Sequence, residues 1–199
     1  MKQRFKTDLE TIRGRARAKM RDGAVTGAYL ADREQVIGVL NEVLATELVC
    51  ILRYKNHYYM ASGINAQPVA AEFLQHANEE QMHADWVAQR ITQLGGVPNF
   101  DPEGLATRSH AEYVEGATLV GMIEEDLVAE RVAIETYSEI VRWLANDDPT
   151  TRRIIEDILK MEEEHADDLA NLLATLGAAK GAARRKGAAK KRGSRRRAG

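Results

Sequence analysis

The chain of 199 residues is short of several things, and each shortage excludes a class of protein. It has one cysteine, Cys50, so no disulfide framework forms within one chain and the thiol usage fits a reducing cytosol. Its four prolines fall at a few points and leave long unbroken stretches between them. No run of about 18 apolar residues is found, so no membrane span is expected. No apolar stretch follows the basic N-terminal residues, which argues against a secretory signal. No segment alternates polar and apolar residues with period two between turn signals, so β-structure is not expected. What remains is an ordinary globular composition, 44% hydrophobic and 29% charged, at a length that suits one domain.

The formal net charge of −2 is a cancellation. Residues 1–30 carry eight Lys/Arg against three Asp/Glu, residues 31–176 carry ten against twenty-seven, and residues 177–199 carry ten against none. The chain divides into a basic N-terminal extension (1–31), an acidic body (32–176) and a Lys/Arg-rich tail (177–199). The tail has no large apolar residue with which to bury a core face and is expected to be disordered. A polycation without aromatics contacts phosphates and not bases, so DNA is its expected partner, bound without sequence preference and with strong salt dependence. The plainer alternative is a solubilising tail. In the extension, Leu9, Ile12, Met20 and Tyr29 predict a short helix against the body.

Four helices are expected in the body: Asp32 to Ser62, Gln67 to Leu94, Ser109 to Asn146, and Asp148 to Gly177. Asp32 with Gln35 resembles a capping box. Pro68 sits in a first turn, Gly95-Gly96 supplies a stop, and Asp148 before Pro149 reads as an N-cap. The fold class is therefore all-α, a four-helix bundle with one long crossover between the second and third helices.

Two of the five histidines, His83 and His165, follow a glutamate by three residues, Glu80 and Glu162. That spacing puts carboxylate and imidazole on one helical face. Glu47 precedes Glu80 by 33 residues and Glu130 precedes Glu162 by 32, so each helical hairpin offers one lone Glu and one Glu-x-x-His. Tyr54 and Tyr137 each follow the lone Glu by seven residues, two turns on. The halves read as a diverged repeat. Four unpaired carboxylates in a core would cost several kcal/mol each. Two divalent cations cancel their charge and two imidazoles complete the set, which suits iron, with manganese as the alternative. The plainer alternative is a charged, solvated face.

With these motifs in hand, the chain resembles the ferritin-like superfamily, and within it bacterioferritin, over residues 32–176. The likeness is carried by 35–62 (QVIGVLNEVLATELVCILRYKNHYYMAS), 76–99 (HANEEQMHADWVAQRITQLGGVPN) and 156–173 (EDILKMEEEHADDLANLL). It implies two iron ions per subunit, with Glu47 and Glu130 as terminal ligands, Glu80 and Glu162 bridging, and His83 and His165 binding one ion each. It also implies ferroxidase chemistry, in which Fe(II) is oxidised by O2 or H2O2 and Fe(III) is stored in a hollow cytoplasmic homo-oligomer. Tyr54 matches a tyrosine beside the bacterioferritin centre. It is read either as an electron donor or as a hydrogen-bond partner of a ligand.

The chain also departs from bacterioferritin. Gln81 stands where a haem-ligating Met is found and Met82 faces elsewhere on the helix, which argues against haem. No amphipathic fifth helix follows Leu176, so 12 subunits compete with 24. A Dps-like protector of DNA against iron and peroxide is the first alternative, with nucleoid association through 177–199. A rubrerythrin-like peroxidase or a manganese catalase is the second. Against rubrerythrin, no Cys-rich domain is present and Ala133 replaces its extra Glu. Among the neighbours, Cys50 reads as a core residue or a redox thiol. His76 reads as a transient iron site or a structural histidine, and His57 as an accessory group. Glu79, Glu163 and Glu164 are expected to face solvent or the shell interior, where carboxylates could nucleate mineral.

Overall fold

The computed structural model describes the backbone of residues 6–195 and side-chain burial from 6 to 178. Six α-helices and no strands occur among the described residues: α1 (Leu9–Arg17), α2 (Arg33–Met60), α3 (Ala66–Gln93), α4 (Leu105–Arg108), α5 (Leu119–Leu144) and α6 (Pro149–Arg195). Helix α2 packs along α3 and α5 along α6, and the two hairpins meet through α2 with α5 and α3 with α6. This is the all-α, four-helix bundle expected.

The ends of the helices follow local chemistry. Asp32 accepts from the amides of Glu34 and Gln35 at 3.1 and 3.2 Å, and Asp148 accepts from Thr151 N at 2.9 Å. Each satisfies donors that the first turn leaves open. Helix α3 closes on Gly95, whose φ is +82°, with Gly95 N donating to Thr92 O and Gly96 N to Ile91 O. That paired arrangement requires a left-handed residue, which glycine supplies without a Cβ clash.

Three expectations change. The third long helix begins at Leu119, and not at Ser109, because α2 claims the backbone groups of the preceding segment. His110 N donates to Thr46 Oγ1 at 2.9 Å, Glu112 O accepts from Arg53 Nη1 at 2.8 Å, and Gly116 N donates to His57 Nε2 at 3.3 Å. A Cβ on Gly116 would stand 2.3 Å from Met122 N, so the chain passes there with no room for a side chain. The crossover accordingly runs from Leu94 to Thr118 and carries only the short α4. Second, α6 passes Gly177 without the positive φ of a helix stop. The Ala-rich sequence beyond it has high helix propensity, against which each of the four glycines at 177, 181, 187 and 193 costs about 1 kcal/mol. The expectation of disorder over 177–199 falls, beyond residue 178, outside the residues whose side chains are described. Third, α1 forms but buries nothing, with Leu9, Ile12 and Met20 all exposed. The extension docks instead through Val25, Tyr29 and Ala31.

Two apolar clusters fill the bundle. One is built from Leu40, Leu44, Val87, Ile91, Ile140 and Ile155 among others, the second from Tyr54, Val69, Phe73, Met122, Ile123 and Leu169. In α3, α5 and α6 the Glu or Glu-x-x-His lies between the segments that feed these clusters, and Glu47 of α2 lies near the end of its contribution to the first, so antiparallel packing brings all four carboxylates to one level. Helix α2 contains an 18-residue window of mean hydropathy 1.7, enough to pass for a membrane span by composition. Just over half of that window, 56%, is buried in the bundle, and the helix also buries Glu47, Arg53 and His57.

Candidate metal centre

At the level between the clusters, Glu47, Glu80, Glu130 and Glu162 are each only 1% exposed, and His83 and His165 are buried among them. His83 Nδ1 stands 3.3 Å from Glu47 Oε2, 3.2 Å from Glu80 Oε2 and 3.1 Å from Glu162 Oε1. His165 Nδ1 stands 3.5 Å from Glu80 Oε1, 3.8 Å from Glu130 Oε1 and 3.2 Å from Glu162 Oε2. Each imidazole thus faces three carboxylates, and Glu80 and Glu162 offer one oxygen to each side. The two overlapping sets, Glu47/Glu80/His83/Glu162 and Glu80/Glu130/Glu162/His165, are compact enough for each to hold one ion.

The donor set itself fits cations. Glu80 Oε1, both Glu162 oxygens and His165 Nδ1 are buried without a hydrogen-bond partner, although protein interiors pair nearly all such atoms. In the absence of cations, protons must neutralise the set. Burial, reinforced by the Glu80 charge, pushes Glu47 up to about 8. Burial with the charges of Glu130 and Glu47 pushes Glu162 up to about 7. Burial would raise Glu130 too, but the neighbouring His165 imidazole and the Tyr54 hydroxyl outweigh it and hold Glu130 down, to about 2. Burial opposes charging His83 and His165, yet the surrounding carboxylates raise both well above the ordinary histidine range. The lone glutamates of the two halves therefore differ, and the direction that governs the set is retention of protons by burial and mutual repulsion.

The tyrosines cross over between the halves. Tyr54, on the helix of Glu47, donates to Glu130, and Tyr137, on the helix of Glu130, donates to Glu47. Each lone Glu is thereby fixed from the opposite hairpin. His165 Nε2 meets Glu79 Oε2 at 2.9 Å, which corrects the expectation that Glu79 merely faces solvent and supplies the carboxylate partner typical of metal-binding histidines. Glu163 and Glu164 are exposed as expected. His83 Nε2 has Met161 Sδ at 3.3 Å instead.

His57 is not an accessory to this centre. Its Nδ1 lies 2.8 Å from Asp126 Oδ2, and Asp126 also takes Arg53 Nε at 2.8 Å. Sequence reading missed Arg53 and Asp126. The available signal was Asp126 one turn before Glu130, on the same inward face. Burial pushes the Cys50 thiol well up, which favours core packing over redox sensitivity. Gln81 is exposed, and so is Met82 at 43%. Both lie away from the buried Glu80.

A four-helix bundle with four carboxylates and two imidazoles at one level has the donor arrangement that carboxylate-bridged dimetal bundles use. The comparisons narrow the class. Residues 37–179 match the family model of the ferritin-like domain, and the chain belongs to the ferritin-like family. It is 31% identical over 141 residues to bacterioferritin of Desulfovibrio desulfuricans, covering 70% of this chain and 75% of the relative. It is also 31% identical over 138 residues to the nutrient stress-induced DNA-binding protein of a Nostoc species, covering 68% and 75%. The solved dodecameric thioferritin of Bacteroides fragilis, described as bacterioferritin-related, superposes with a TM-score of 0.74 at 32% identity, over 77% of this chain and 92% of that one.

Proposed function

We propose that this protein is a cytoplasmic ferroxidase and iron-storage protein that oxidises Fe(II) at a dinuclear centre contained within one subunit. The observation that carries the reading is the pair of overlapping donor sets sharing Glu80 and Glu162, with buried oxygens that no protein group satisfies. Glu47, Glu80, His83 and Glu162 would hold one ion, and Glu80, Glu130, Glu162 and His165 the second. Iron in these positions supplies one-electron steps from Fe(II) to O2 or H2O2; manganese is the alternative occupant. The remaining roles belong to the chain. Tyr54 and Tyr137 aim the lone glutamates, Glu79 fixes the ring of His165, and the apolar clusters above and below exclude water from the level. Fe(III) would then be stored inside a hollow homo-oligomer of 12 or 24 subunits, and the dodecameric relative supports the smaller number.

Stopped-flow oxidation of Fe(II) tests the reading. Loss of an outer partner of a metal ligand costs about 10–100-fold in metal affinity or activity, and loss of a ligand costs no less. Glu130→Ala should therefore slow oxidation by at least about 10-fold. An unchanged rate would refute the assignment.

A Dps-like role is the second reading, supported by the Nostoc relative named as DNA-binding and by the ten cations of residues 177–199. Many tails on one oligomer would bind DNA through avidity. A gel shift of the intact protein at low salt, lost on truncation at Gly177 and lost at high salt, is the expected outcome; no shift at low salt removes this role.

A further inference from the structure

One buried histidine outside the six-residue centre has a bare ring nitrogen. His76 is fully buried on α3, and its Nδ1 lies 3.2 Å from Tyr54 Oη. Tyr54 has one hydroxyl proton, and that proton is given to Glu130. The phenol oxygen can then only accept from His76, so the proton of the neutral ring sits on Nδ1 and Nε2 keeps its lone pair. Nε2 has no hydrogen-bond partner. It faces Glu72 Oε1 at 3.4 Å and Asp168 Oδ2 at 4.0 Å. Three electron-rich atoms thus converge with no hydrogen among them. A second proton on the ring would put a buried cation face to face with His165, whose ring centroid is 4.1 Å away.

We propose that Glu72, His76 and Asp168 form a third cation site, separate from the dinuclear centre, for a divalent first-row ion of the Fe(II) or Zn(II) kind. Imidazole with two carboxylates is the ligand chemistry such ions take. Ligand atoms about 2.0–2.2 Å from an ion stand about 3.3–3.6 Å apart at tetrahedral angles; the Glu72 separation lies in that range, and the half-exposed Asp168 carboxylate has only about half an ångström to close. The three ligand atoms also form a compact group by themselves. The site has a sealed side and an open side. His76 is closed off from water, whereas the side chains of Glu72 and Asp168 are 29% and 53% exposed. An ion can therefore arrive from solvent and remain two hydrogen bonds, through His76 and Tyr54, from Glu130. Within the ferroxidase reading, the site would hold an incoming Fe(II) before it moves inward. Its existence rests on the hydrogen-bond assignment alone and does not require that reading.

Crystals of the full chain grown with Co(II), measured on both sides of the cobalt absorption edge, test it. The expected result is an anomalous peak between His76 Nε2, Glu72 and Asp168. In Glu72→Gln/Asp168→Asn that peak should vanish, with one cobalt per chain fewer in solution and any peaks among Glu47, Glu80, Glu130 and Glu162 unchanged. Neither substituted residue touches those four glutamates, and Fe(II) oxidation is not the readout. No peak beside Nε2 in the unaltered protein, or an undiminished one in the double variant, overturns the site. Failure of the dinuclear reading would show separately, as absent peaks at the other position.

Discussion

At the end of the bundle where α3 stops and α6 starts, Asp148 takes Arg90 Nη2 at 2.9 and 3.1 Å, Tyr29 Oη at 2.9 Å and Thr151 N at 2.9 Å. Thr151 Oγ1 in turn receives Arg90 Nε at 2.8 Å. The carboxylate is as buried as those of the metal level, at 1% exposure in both places. In this knot, however, every oxygen has a donor, while at the metal level buried oxygens of Glu80 and Glu162 have none. Burial of charge does not distinguish structural from functional clusters in this fold; satisfaction does. Burial would raise Asp148, but bonds from Thr151 and Tyr29 and the Arg90 charge hold it below the usual carboxylate range. Glu47 and Glu162 move the other way because burial and the charges of neighbouring glutamates outweigh the stabilisation that His83 and His165 return to them.

The largest expected effect comes from breaking the satisfied cluster. Asp148→Ala strands the buried Arg90 guanidinium, frees Tyr29 and removes the α6 cap. Removing one member of a buried ion pair costs about 3–5 kcal/mol. Thermal unfolding of chelator-treated protein should show that loss, and iron should neither cause nor cure it. A change below about 1 kcal/mol would mean that the knot is not the clamp its geometry indicates.

The two clusters should also respond to pH with opposite sign. Asp148 is held low in the fold, so its contribution is complete above the ordinary carboxylate value of 3.8 and is lost as pH falls below it. Glu47 and Glu162 are raised from 4.5 to about 8 and about 7. Their contribution is complete below 4.5 and is lost as pH rises toward those values. His83 and His165, also raised, add to the same slope above 6.5. Metal-stripped protein should therefore melt lower at pH 8 than at pH 5, by about 5 °C, the equivalent of roughly 1–2 kcal/mol at this chain length. Metal-loaded protein should lose this slope and release protons on loading. Glu162→Gln should flatten the slope in the stripped protein. A stripped protein whose melting point rises between pH 5 and 8 would contradict the unsatisfied state of the centre.

These clusters were not equally legible in the sequence. The six residues of the metal level stand at helical spacings repeated in two halves, and parallel or antiparallel packing of any two such hairpins brings them together. Arg90 with Asp148, and Arg53 with Asp126 and His57, were invisible because their pairing depends on how neighbouring helices are rotated and where the crossover runs. No periodicity records either. The crossover shows the same limit. Residues 109–118 carry no strong breaker except Gly116, yet they form no helix because Thr46, Arg53 and His57 of α2 bind their backbone. Glu79 was misplaced for a similar reason. It neighbours Glu80 in sequence, and only the approach of α6 turns it toward His165.

The two imidazoles of the centre have different partners on their outer nitrogens. His165 donates through Nε2 to Glu79, whereas His83 has only Met161 Sδ at that position. A carboxylate behind an imidazole fixes its orientation and makes the nitrogen facing the metal more basic; a thioether does neither to the same degree. Glu79→Gln should leave the stability of the stripped protein within about 0.5 kcal/mol, because Glu79 is partly exposed and a neutral acceptor oxygen remains. It should weaken the ion on the Glu130/His165 side by about 10–100-fold and leave the Glu47/His83 side unchanged. Anaerobic Co(II) titration followed by visible absorption, in the Glu72→Gln/Asp168→Asn background that removes the outer site, would show this as two separated binding steps where the protein with Glu79 intact gives closer ones. Equal weakening of both steps would mean that the shared glutamates, Glu80 and Glu162, transmit the loss across the centre and that the two ions bind as one unit.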